Sequence, residues 1–277
     1  MDKVNVAPPY CLVQARHGWM LVNLNDVYGG VALATYGECN EVELALLLSL
    51  AQRPGLVVEV GANMGVHTVP LARALQEQGR QLVAFEPQPV VFQQLCANLA
   101  LNGLMNVTAW PFACSEKQGL VSFSRPDYRQ KGNFGGVAMS SSAPAPDDDV
   151  IRVPCFRLDD LLRREHIGLM KIDVEGFELR VLMGSSALVE RSRPLIYVEN
   201  DRAEQSRELI EWLWGIGYNL WWHMPPLFNL ENFCGVTENI YGAIVSINML
   251  AVPRDVSFPV PAQLARVEDS NHHPTQP

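Results

Sequence analysis

Short apolar runs alternate with segments of helical periodicity along most of the chain. Each run has the length of a buried strand, and the segments between them repeat apolar residues every three or four positions, as at Val91, Leu95 and Leu99. Alternating strands and helices predict an α/β fold with a doubly wound, mostly parallel sheet. The five predicted central strands lie at residues 56–60, 81–85, 106–111, 168–173 and 195–200.

The two ends of the chain and one long loop lack this alternation. Residues 1–35 carry short β-like runs with proline and glycine pairs, which predict an N-terminal β-rich extension. Residues 36–255 form the predicted main domain, and the polar tail 256–277 is expected to be disordered. The loop 126–149 is rich in Gly, Ser, Pro and Asp, which favours a disordered insertion over a lid that orders on substrate.

A glycine turn follows the first central strand directly. The motif E-x-G-x-N-x-G begins at Glu59 and places Gly61, Asn63 and Gly65 between a strand and a helix. Such a turn presents backbone N–H groups to a polar or anionic ligand, although a tight turn without a ligand has the same pattern. The dinucleotide fingerprint would need glycines at positions 63 and 66, which disfavours a nicotinamide oxidoreductase.

Glu86 ends the second strand, 25 positions after Gly61. A carboxylate at this strand tip can accept hydrogen bonds from both hydroxyls of a ribose. The alternative is an acidic residue that only favours the following helix N-terminus. The glycine turn and the acidic second strand tip together indicate a cofactor that contains a nucleoside.

Four blocks of sequence resemble the FkbM family of methyltransferases. They are Tyr36-Gly37-Glu38, the G-A-N-x-G-x-H-T block at 61–68, Phe85-Glu86-Pro87, and the K-I-D-V-E-G-x-E block at 171–178. The resemblance covers about residues 36–252. It implies a Rossmann-like methyltransferase fold with an antiparallel last strand, S-adenosylmethionine as methyl donor, and a hydroxyl of a small molecule, sugar or natural product as acceptor.

The resemblance also implies which residues bind the cofactor. The amino-acid end would be held by Glu59, Gly61, Ala62, Asn63 and Gly65, with Glu38, His67 and Thr68 near the same end. Glu86 would bind the ribose, with Pro87 or Gln88 beside the adenine. The adenine edge would be lined by Ala113, Cys114 and Ser115.

Methyl transfer requires the acceptor oxygen, methyl carbon and sulfur to be collinear, and the acceptor proton must be removed. Asp173 ends the fourth strand beside the expected methyl position and is the first candidate for an orienting or catalytic group, with Glu175 next. Glu175, and Glu178 one helical turn further, can also be ordinary first-turn carboxylates that the helix dipole favours. His223 is a candidate base because its ordinary pKa is near neutrality, although a single histidine is more often structural.

A magnesium site is a further hypothesis. Asp173 ends one strand and Glu199-Asn200 ends the next, an arrangement that resembles the metal site of catechol-type O-methyltransferases. Hard oxygen ligands suit Mg²⁺, which could fix a deprotonated hydroxyl. The FkbM resemblance itself requires no metal.

The composition of the chain limits the classes of binding partner that we expect. The chain has 277 residues, 48% of them apolar, and a formal net charge of −9, which disfavours a nucleic-acid substrate. It lacks an apolar run of bilayer length and an N-terminal secretory pattern, and its six cysteines lack C-x-x-C spacing. We therefore expect a cytoplasmic enzyme with a small-molecule or carbohydrate acceptor and no membrane partner. A non-catalytic sensor or scaffold that binds S-adenosylmethionine is the alternative, and the oligomeric state is left open.

Overall fold

The computed structural model describes residues 6–142 and 149–276. The described strands are β1 (Tyr10–Ala15), β2 (Gly18–Asn23), β3 (Leu56–Val60), β4 (Leu82–Phe85), β5 (Val107–Trp110), β6 (Ala113–Cys114), β7 (Gly119–Ser124), β8 (Val150–Phe156), β9 (Ile167–Ile172), β10 (Leu195–Glu199), β11 (Tyr218–His223), β12 (Asn248–Pro253) and β13 (Ala265–Arg266). The described helices are α1 (Gly29–Tyr36), α2 (Glu41–Leu50), α3 (Thr68–Gln76), α4 (Pro89–Leu101), α5 (Leu158–Leu161), α6 (Glu178–Met183), α7 (Ser186–Ser192) and α8 (Ala203–Gly215).

An eight-stranded sheet runs through the centre in the order β13-β11-β12-β10-β9-β3-β4-β5. The neighbours from β5 to β10 pair in parallel, whereas β12 is antiparallel to both β10 and β11. The predicted mostly parallel sheet with an antiparallel last strand is therefore confirmed. A separate three-stranded sheet, in the order β6-β8-β7, packs beside it.

The central strands are apolar on both faces because helices or loops cover each side of the sheet. Along β3, Val57 contributes to one buried cluster and Val58 to the other, and Leu169 and Met170 of β9 alternate in the same way. This is the period-2 alternation of a pleated strand with two cores. Near-continuous apolar runs are therefore the expected sequence pattern for these strands.

The N-terminal extension belongs to the same core as the main domain. Its β1–β2 hairpin agrees with the β-rich prediction, but residues 29–36 form helix α1 where strands and turns were expected. Met20 and Val22 of β2 are buried in the cluster that also contains Leu44 of α2. The predicted domain limit at residue 35 thus separates no independent core.

Two segments expected to be disordered have described structure. Strand β13 of the tail pairs with β11, and His273 is 2% exposed and donates a hydrogen bond from Nε2 to the Asn200 carbonyl oxygen, 2.8 Å away. In the loop 126–149, Phe134 is buried in the core and residues 126–142 are described. Residues 143–148 of that loop lie outside the described residues. The prediction of disorder is wrong for residues 126–142 and 256–276, because packing of a few buried side chains outweighs the polar composition.

The sheet reverses its strand order between β3 and β9. In doubly wound sheets the ligand cleft lies at the carboxyl ends of the strands that flank this point. The same edge collects the tips of β4 and β10, so four strand tips face one region. Among the described helices, none combines the length and apolar character needed to cross a bilayer.

Candidate active site

A cavity of about 540 Å³ opens at the carboxyl ends of β3, β4, β9 and β10. Its volume is in the range of cofactor and substrate pockets. Polar residues from the strand tips and from α1, α2 and two loops line it together with a few apolar side chains. The lining residues that carry charge or can ionise are Tyr28, Cys39, Glu43, Glu59, His67, Glu86, Lys171, Asp173, Glu175, Glu199 and Asp201.

The glycine turn forms the wall next to β3. Gly61 has φ +86°, and a Cβ at this position would lie 1.7 Å from the carbonyl oxygen of Asp173. Asn63 also has positive φ, at +50°. Only a residue without a side chain allows β3 and the end of β9 to approach this closely, so the turn exposes backbone where a side chain would otherwise lie.

Glu86 crosses from the tip of β4 to this turn. One of its carboxylate oxygens accepts a hydrogen bond from the Asn63 N–H at 2.9 Å, and the other accepts one from the Gln88 N–H at 2.8 Å. Burial raises the pKa of Glu86 to about 7 even though these two N–H donors oppose the shift. Glu86 and Gly61 line the same cavity.

A buried row of polar side chains runs across the sheet beneath the cavity. Lys171 lies opposite Glu59 in the β3–β9 pair, and its Nζ is 4.0 Å from Glu59 Oε1 and 3.0 Å from Asp173 Oδ2. Lys171 is 2% exposed; burial favours its neutral amine, but the carboxylates of Asp173, Glu59 and Glu43 outweigh burial and raise its pKa. Thr68 Oγ1 donates to Glu59 at 2.7 Å. The ammonium and hydroxyl groups therefore hold both carboxylates in place.

Glu43 and His67 form the deepest corner of the cavity. Both are 3% exposed, and His67 Nε2 is 3.9 Å from Glu43 Oε1, beyond hydrogen-bond distance. Burial raises the pKa of Glu43 to about 7 and, with Lys171 nearby, lowers the pKa of His67 well below its usual value. His67 Nε2 lacks a hydrogen-bond partner among the described residues. The corner therefore offers an uncharged imidazole nitrogen that a ligand can engage.

Three carboxylates meet at the tips of β9 and β10. Asp173, Glu175 and Glu199 each place an oxygen within 4.8 Å of the other two. Burial, together with the neighbouring Asp173, raises the pKa of Glu175 to about 7 and that of Glu199 well above its usual range. Arg202 donates to Glu175 at 2.7 Å. This end of the cavity is strongly acidic.

The segment 132–136 covers the Glu86 side of the cavity. Gln88 Nε2 donates to the Phe134 carbonyl at 2.7 Å, and Tyr128 Oη donates to Gln88 Oε1 at 2.9 Å. The Val27 N–H donates to the Gly132 carbonyl at 3.1 Å. Through these bonds Asn133, Gly135 and Gly136 become part of the wall.

Comparison with known proteins agrees with this site. A sequence profile described as "Methyltransferase FkbM domain" matches residues 59–220. The chain is 31% identical over 234 residues to "31-O-demethyl-FK506 methyltransferase FkbM" from Streptomyces tacrolimicus, which covers 73% of this chain and 87% of the relative. The chain belongs to the FkbM methyltransferase family.

Two further relatives lie at greater distance. "Methyltransferase sdnD" from Sordaria araneosa is 30% identical over 155 residues, which is 46% of this chain and 59% of that protein. The crystal structure of methyltransferase FkbM from Methylobacillus flagellatus KT matches 71% of this chain and 43% of its own at 14% identity, with a TM-score of 0.47. The predicted FkbM resemblance is confirmed, and with it the assignment as an S-adenosylmethionine-dependent methyltransferase.

The site of this FkbM-family chain fits S-adenosylmethionine. The turn at Gly61 leaves room at the backbone that a Cβ would fill, and the Glu86 carboxylate keeps lone pairs beyond its two N–H contacts. His67 presents an unpartnered nitrogen to the cavity, within the described part of the chain. A neutral ribose and a zwitterionic amino acid both find matching groups here.

Half of the predicted cofactor and catalytic residues meet in the cavity. The predicted residues that line it are Glu59, Gly61, Ala62, Asn63, His67, Glu86, Asp173 and Glu175. Thr68 does not line the cavity; it is fully buried and donates a hydrogen bond to the lining residue Glu59. Pro87 lies outside the lining, whereas the alternative Gln88 belongs to it.

Several predicted residues have structural contacts elsewhere. Gly65 packs against Leu95 of α4, where a Cβ would lie 2.9 Å from Leu95 Cδ1. Glu38 accepts hydrogen bonds from Arg16, Asn229 and the Phe233 N–H at 2.7–2.8 Å. Gly65 thus lets the turn before α3 approach α4, and Glu38 connects the loop after β11 to the N-terminal hairpin.

The residues predicted to form the adenine edge lie outside the cavity lining. Ala113 and Cys114 are buried in β6, which leaves the central sheet and pairs with β8, and the Ser115 hydroxyl donates a hydrogen bond to the carboxylate of the adjacent Glu116. On the Glu86 side, the residues that line the cavity include Asn133, Gly135 and Gly136.

His223 lies at a strand tip but outside the cavity lining. Its Nδ1 is 2.7 Å from Tyr197 Oη, and burial lowers the pKa of His223 to about 4. The hypothetical metal ligand Asn200 is likewise engaged, since its Nδ2 donates to Ser206 Oγ at 2.8 Å. Neither residue supports the role first considered for it.

Sequence reasoning missed part of the site. Glu43 has capping-box spacing from Asn40, yet Asn40 forms no side-chain cap and Glu43 points into the cavity. A carboxylate in a helix that is otherwise apolar all round was the available signal. Lys171, in the middle of a buried strand, carried a similar signal, because a buried lysine needs anionic partners.

Proposed function

We propose that this FkbM-family chain transfers a methyl group from S-adenosylmethionine to a hydroxyl oxygen of a small molecule. The observation that carries the proposal is the convergence of Gly61, Glu86 and Asp173 on one cavity of about 540 Å³. The name of the Streptomyces relative, a 31-O-demethyl-FK506 methyltransferase, indicates O-methylation of a small molecule, which supports oxygen as the accepting atom.

The cofactor would lie along the wall formed by β3 and β4. Glu86 would accept hydrogen bonds from the ribose hydroxyls, and Gln88 with the segment 132–136 would enclose the adenine. Glu59, His67 and Lys171 would face the amino-acid end. When bound, S-adenosylmethionine supplies an electrophilic methyl group on a sulfonium sulfur.

Asp173 would prepare the acceptor. Lys171 occupies its Oδ2 at 3.0 Å, which leaves Oδ1 without a partner among the residues described. The free oxygen can accept the proton of a hydroxyl group placed beside it, so that the acceptor oxygen gains nucleophilic character. Lys171 would fix the carboxylate so that little reorganisation is needed during the reaction.

The acceptor would enter from the side opposite Glu86. The wall there combines the acidic group at β9 and β10 with apolar side chains, among them Leu227, Ile244 and Ile247. An acceptor with hydroxyl groups on an apolar body fits both surfaces, and this includes glycosides as well as natural products without sugars. Cytoplasmic location remains our prediction; the six cysteines are free thiols.

Two measurements test this function. Titration calorimetry should show micromolar or tighter binding of S-adenosylhomocysteine and none of NAD. Incubation with S-adenosylmethionine and a panel of macrolides, glycosides and catechols should then yield a methyl ether, identified by mass spectrometry and NMR. Tight cofactor binding without turnover on any acceptor would favour a sensor, and a product methylated at nitrogen or carbon would contradict the proposal.

A further inference from the structure

The acidic group at the tips of β9 and β10 is poorly neutralised. One oxygen each of Asp173, Glu175 and Glu199 lies within 4.8 Å of the others. Opposite ligands of a cation bound at about 2.1–2.4 Å are about 4.2–4.8 Å apart. The three oxygens are therefore close enough to share one ion.

Protein contacts occupy at most one oxygen of each of these carboxylates among the described residues. Lys171 engages only Oδ2 of Asp173, and Arg202 engages only Oε2 of Glu175. Glu199 Oε2 is shielded from solvent and has no hydrogen-bond partner in the described ranges 6–142 and 149–276. Each of the three carboxylates thus keeps an oxygen that can bind a ligand.

A second polar side chain beside this group lacks a partner. Asn248 is the cross-strand neighbour of Glu199 in the β10–β12 pair, is 3% exposed, and lines the same cavity. Its amide nitrogen finds no acceptor within the described part of the chain. Rotation of the amide presents its oxygen instead, which is a fourth hard donor. A buried amide without a partner points to a ligand at this spot.

The local charge also calls for a cation. Asp173, Glu175, Glu199 and Asp201 are four carboxylates, and Lys171 and Arg202 are two cationic side chains, so full ionisation would leave an excess of two negative charges. Lys171 also forms an ion pair with Glu59, so its positive charge is divided between two carboxylates. Buried charges of one sign are normally paired or coordinate a metal.

We propose that Asp173, Glu175, Glu199 and the Asn248 amide bind a divalent cation with hard-ligand preference, such as Mg²⁺ or Mn²⁺. The site differs from the catechol-type arrangement considered above, because Glu175 and Asn248 replace Asn200. It lies on the acceptor side of the cavity, opposite Glu86. This role rests on the proposed function: a cation there would coordinate the acceptor hydroxyl and lower the pKa of that hydroxyl. With the cation bound, Asp173 would act as a ligand that positions the ion, and its role as direct proton acceptor applies to the site without a cation.

Mn²⁺ binding to the full-length protein tests the site without any acceptor. After treatment with EDTA and desalting, the free Mn²⁺ signal in electron paramagnetic resonance should show one saturable site per chain. Glu199→Gln and Asn248→Leu should each weaken binding at least tenfold. Glu204→Gln, an exposed position on α8 with the same change of charge, should bind Mn²⁺ as the wild type does.

Thermal unfolding provides the second readout. Mn²⁺ should raise the Tm of the wild type and of Glu204→Gln but leave the Tm of Glu199→Gln unchanged. Binding of S-adenosylhomocysteine in EDTA, measured on the same samples, shows that the variants are folded and keeps a failure of the cofactor site separate from a failure of the metal site. Absence of saturable Mn²⁺ binding, or binding that Glu199→Gln leaves intact, would overturn the proposal.

Discussion

Two groups of carboxylates line opposite walls of one cavity, and they are stabilised in different ways. On the β3–β4 wall, Glu86 accepts two backbone N–H bonds and Glu59 accepts a hydrogen bond from Thr68. On the β9–β10 wall, Glu199 Oε2 has no partner in the described part of the chain, and Glu175 relies on a single bond from Arg202.

The two walls therefore differ in how many hydrogen-bond donors of the protein satisfy their carboxylates. Carboxylates whose geometry is set by backbone donors need no further ligand to stay in place and suit neutral hydroxyls. Carboxylates crowded together without donors must take up a proton or a cation. The first wall therefore suits the hydroxyl groups of a ribose, whereas the carboxylates of the second wall call for a bound proton or cation.

The backbone contact that joins the two walls should give the largest effect when broken. In Gly61→Ala, the new Cβ would lie 1.7 Å from the Asp173 carbonyl oxygen at a residue with φ +86°. We expect the free energy of unfolding to fall by about 3 kcal/mol or more, and S-adenosylhomocysteine binding to be lost. Urea denaturation and calorimetry measure both.

Gly79→Ala is the matched control for Gly61→Ala. Gly79 also has positive φ, at +65°, but nothing lies within 4 Å of a Cβ there. Gly79→Ala should lower the free energy of unfolding by only about 1–2 kcal/mol, which is the strain of a left-handed backbone at a residue with a side chain. Equal destabilisation by the two substitutions would mean that the close approach of β3 and β9 contributes nothing.

Asp173→Asn tests the β9–β10 wall alone. If Asp173 accepts the acceptor proton, kcat should fall about 10²- to 10⁴-fold. The affinity for S-adenosylhomocysteine should stay within about threefold, because the donors around Glu86 are untouched. Steady-state kinetics with the acceptor found in the panel and calorimetry give the two values. A loss confined to cofactor affinity would contradict the division between the walls.

Glu86→Gln tests the β3–β4 wall through pH. With the pKa of Glu86 at about 7, its carboxylate form, which we propose binds ribose, is about tenfold more populated at pH 8 than at pH 6. Wild-type affinity for S-adenosylhomocysteine should therefore rise by up to about tenfold over this interval. Glu86→Gln should bind more weakly at pH 8 and lose that part of the pH dependence, as calorimetry at both pH values would show.

Folding stability should respond to pH in the opposite direction. The folded protein keeps the Glu86 proton up to about pH 7, whereas the unfolded chain releases it near 4.5, so the folded state binds more protons between these values. The free energy of unfolding therefore decreases as pH rises through this window. The difference between wild type and Glu86→Gln should change by up to about 3 kcal/mol. If the difference in unfolding free energy between wild type and Glu86→Gln does not change with pH, the pKa of Glu86 is not raised by burial.

The β3–β4 wall could be predicted from sequence because its information is local. A strand, a glycine turn and a helix are contiguous, and Glu86 follows from the next strand end. The segment 132–136 could not be predicted in the same way. Its glycines and asparagine indicate mobility, and only the bond from Gln88 to the Phe134 carbonyl shows that it closes the cavity.

The β9–β10 wall depends on contacts between distant parts of the chain. Asp173 was predicted from its strand tip, but Asn200, one residue after Glu199, turns away to Ser206. Strand alternation assigns neighbours to opposite faces without telling which face meets the cavity. Glu43 was missed for a similar reason, because helix α2 has no distinct polar face from which the orientation of the helix could be predicted. Which face of a strand or helix points into the cavity is decided by tertiary packing, which the sequence pattern does not contain.

His223→Gln should give the smallest effect and sharpen the limit of the acidic wall. His223 Nδ1 is bonded to Tyr197 Oη, burial lowers the pKa of His223 to about 4, and the side chain does not belong to the cavity lining. A neutral amide can keep a hydrogen bond to Tyr197, so kcat should stay within about threefold and its pH profile should not shift. A hundredfold loss of kcat would return His223 to the list of bases and place the proton acceptor beyond β10, where the present division of the cavity would no longer hold.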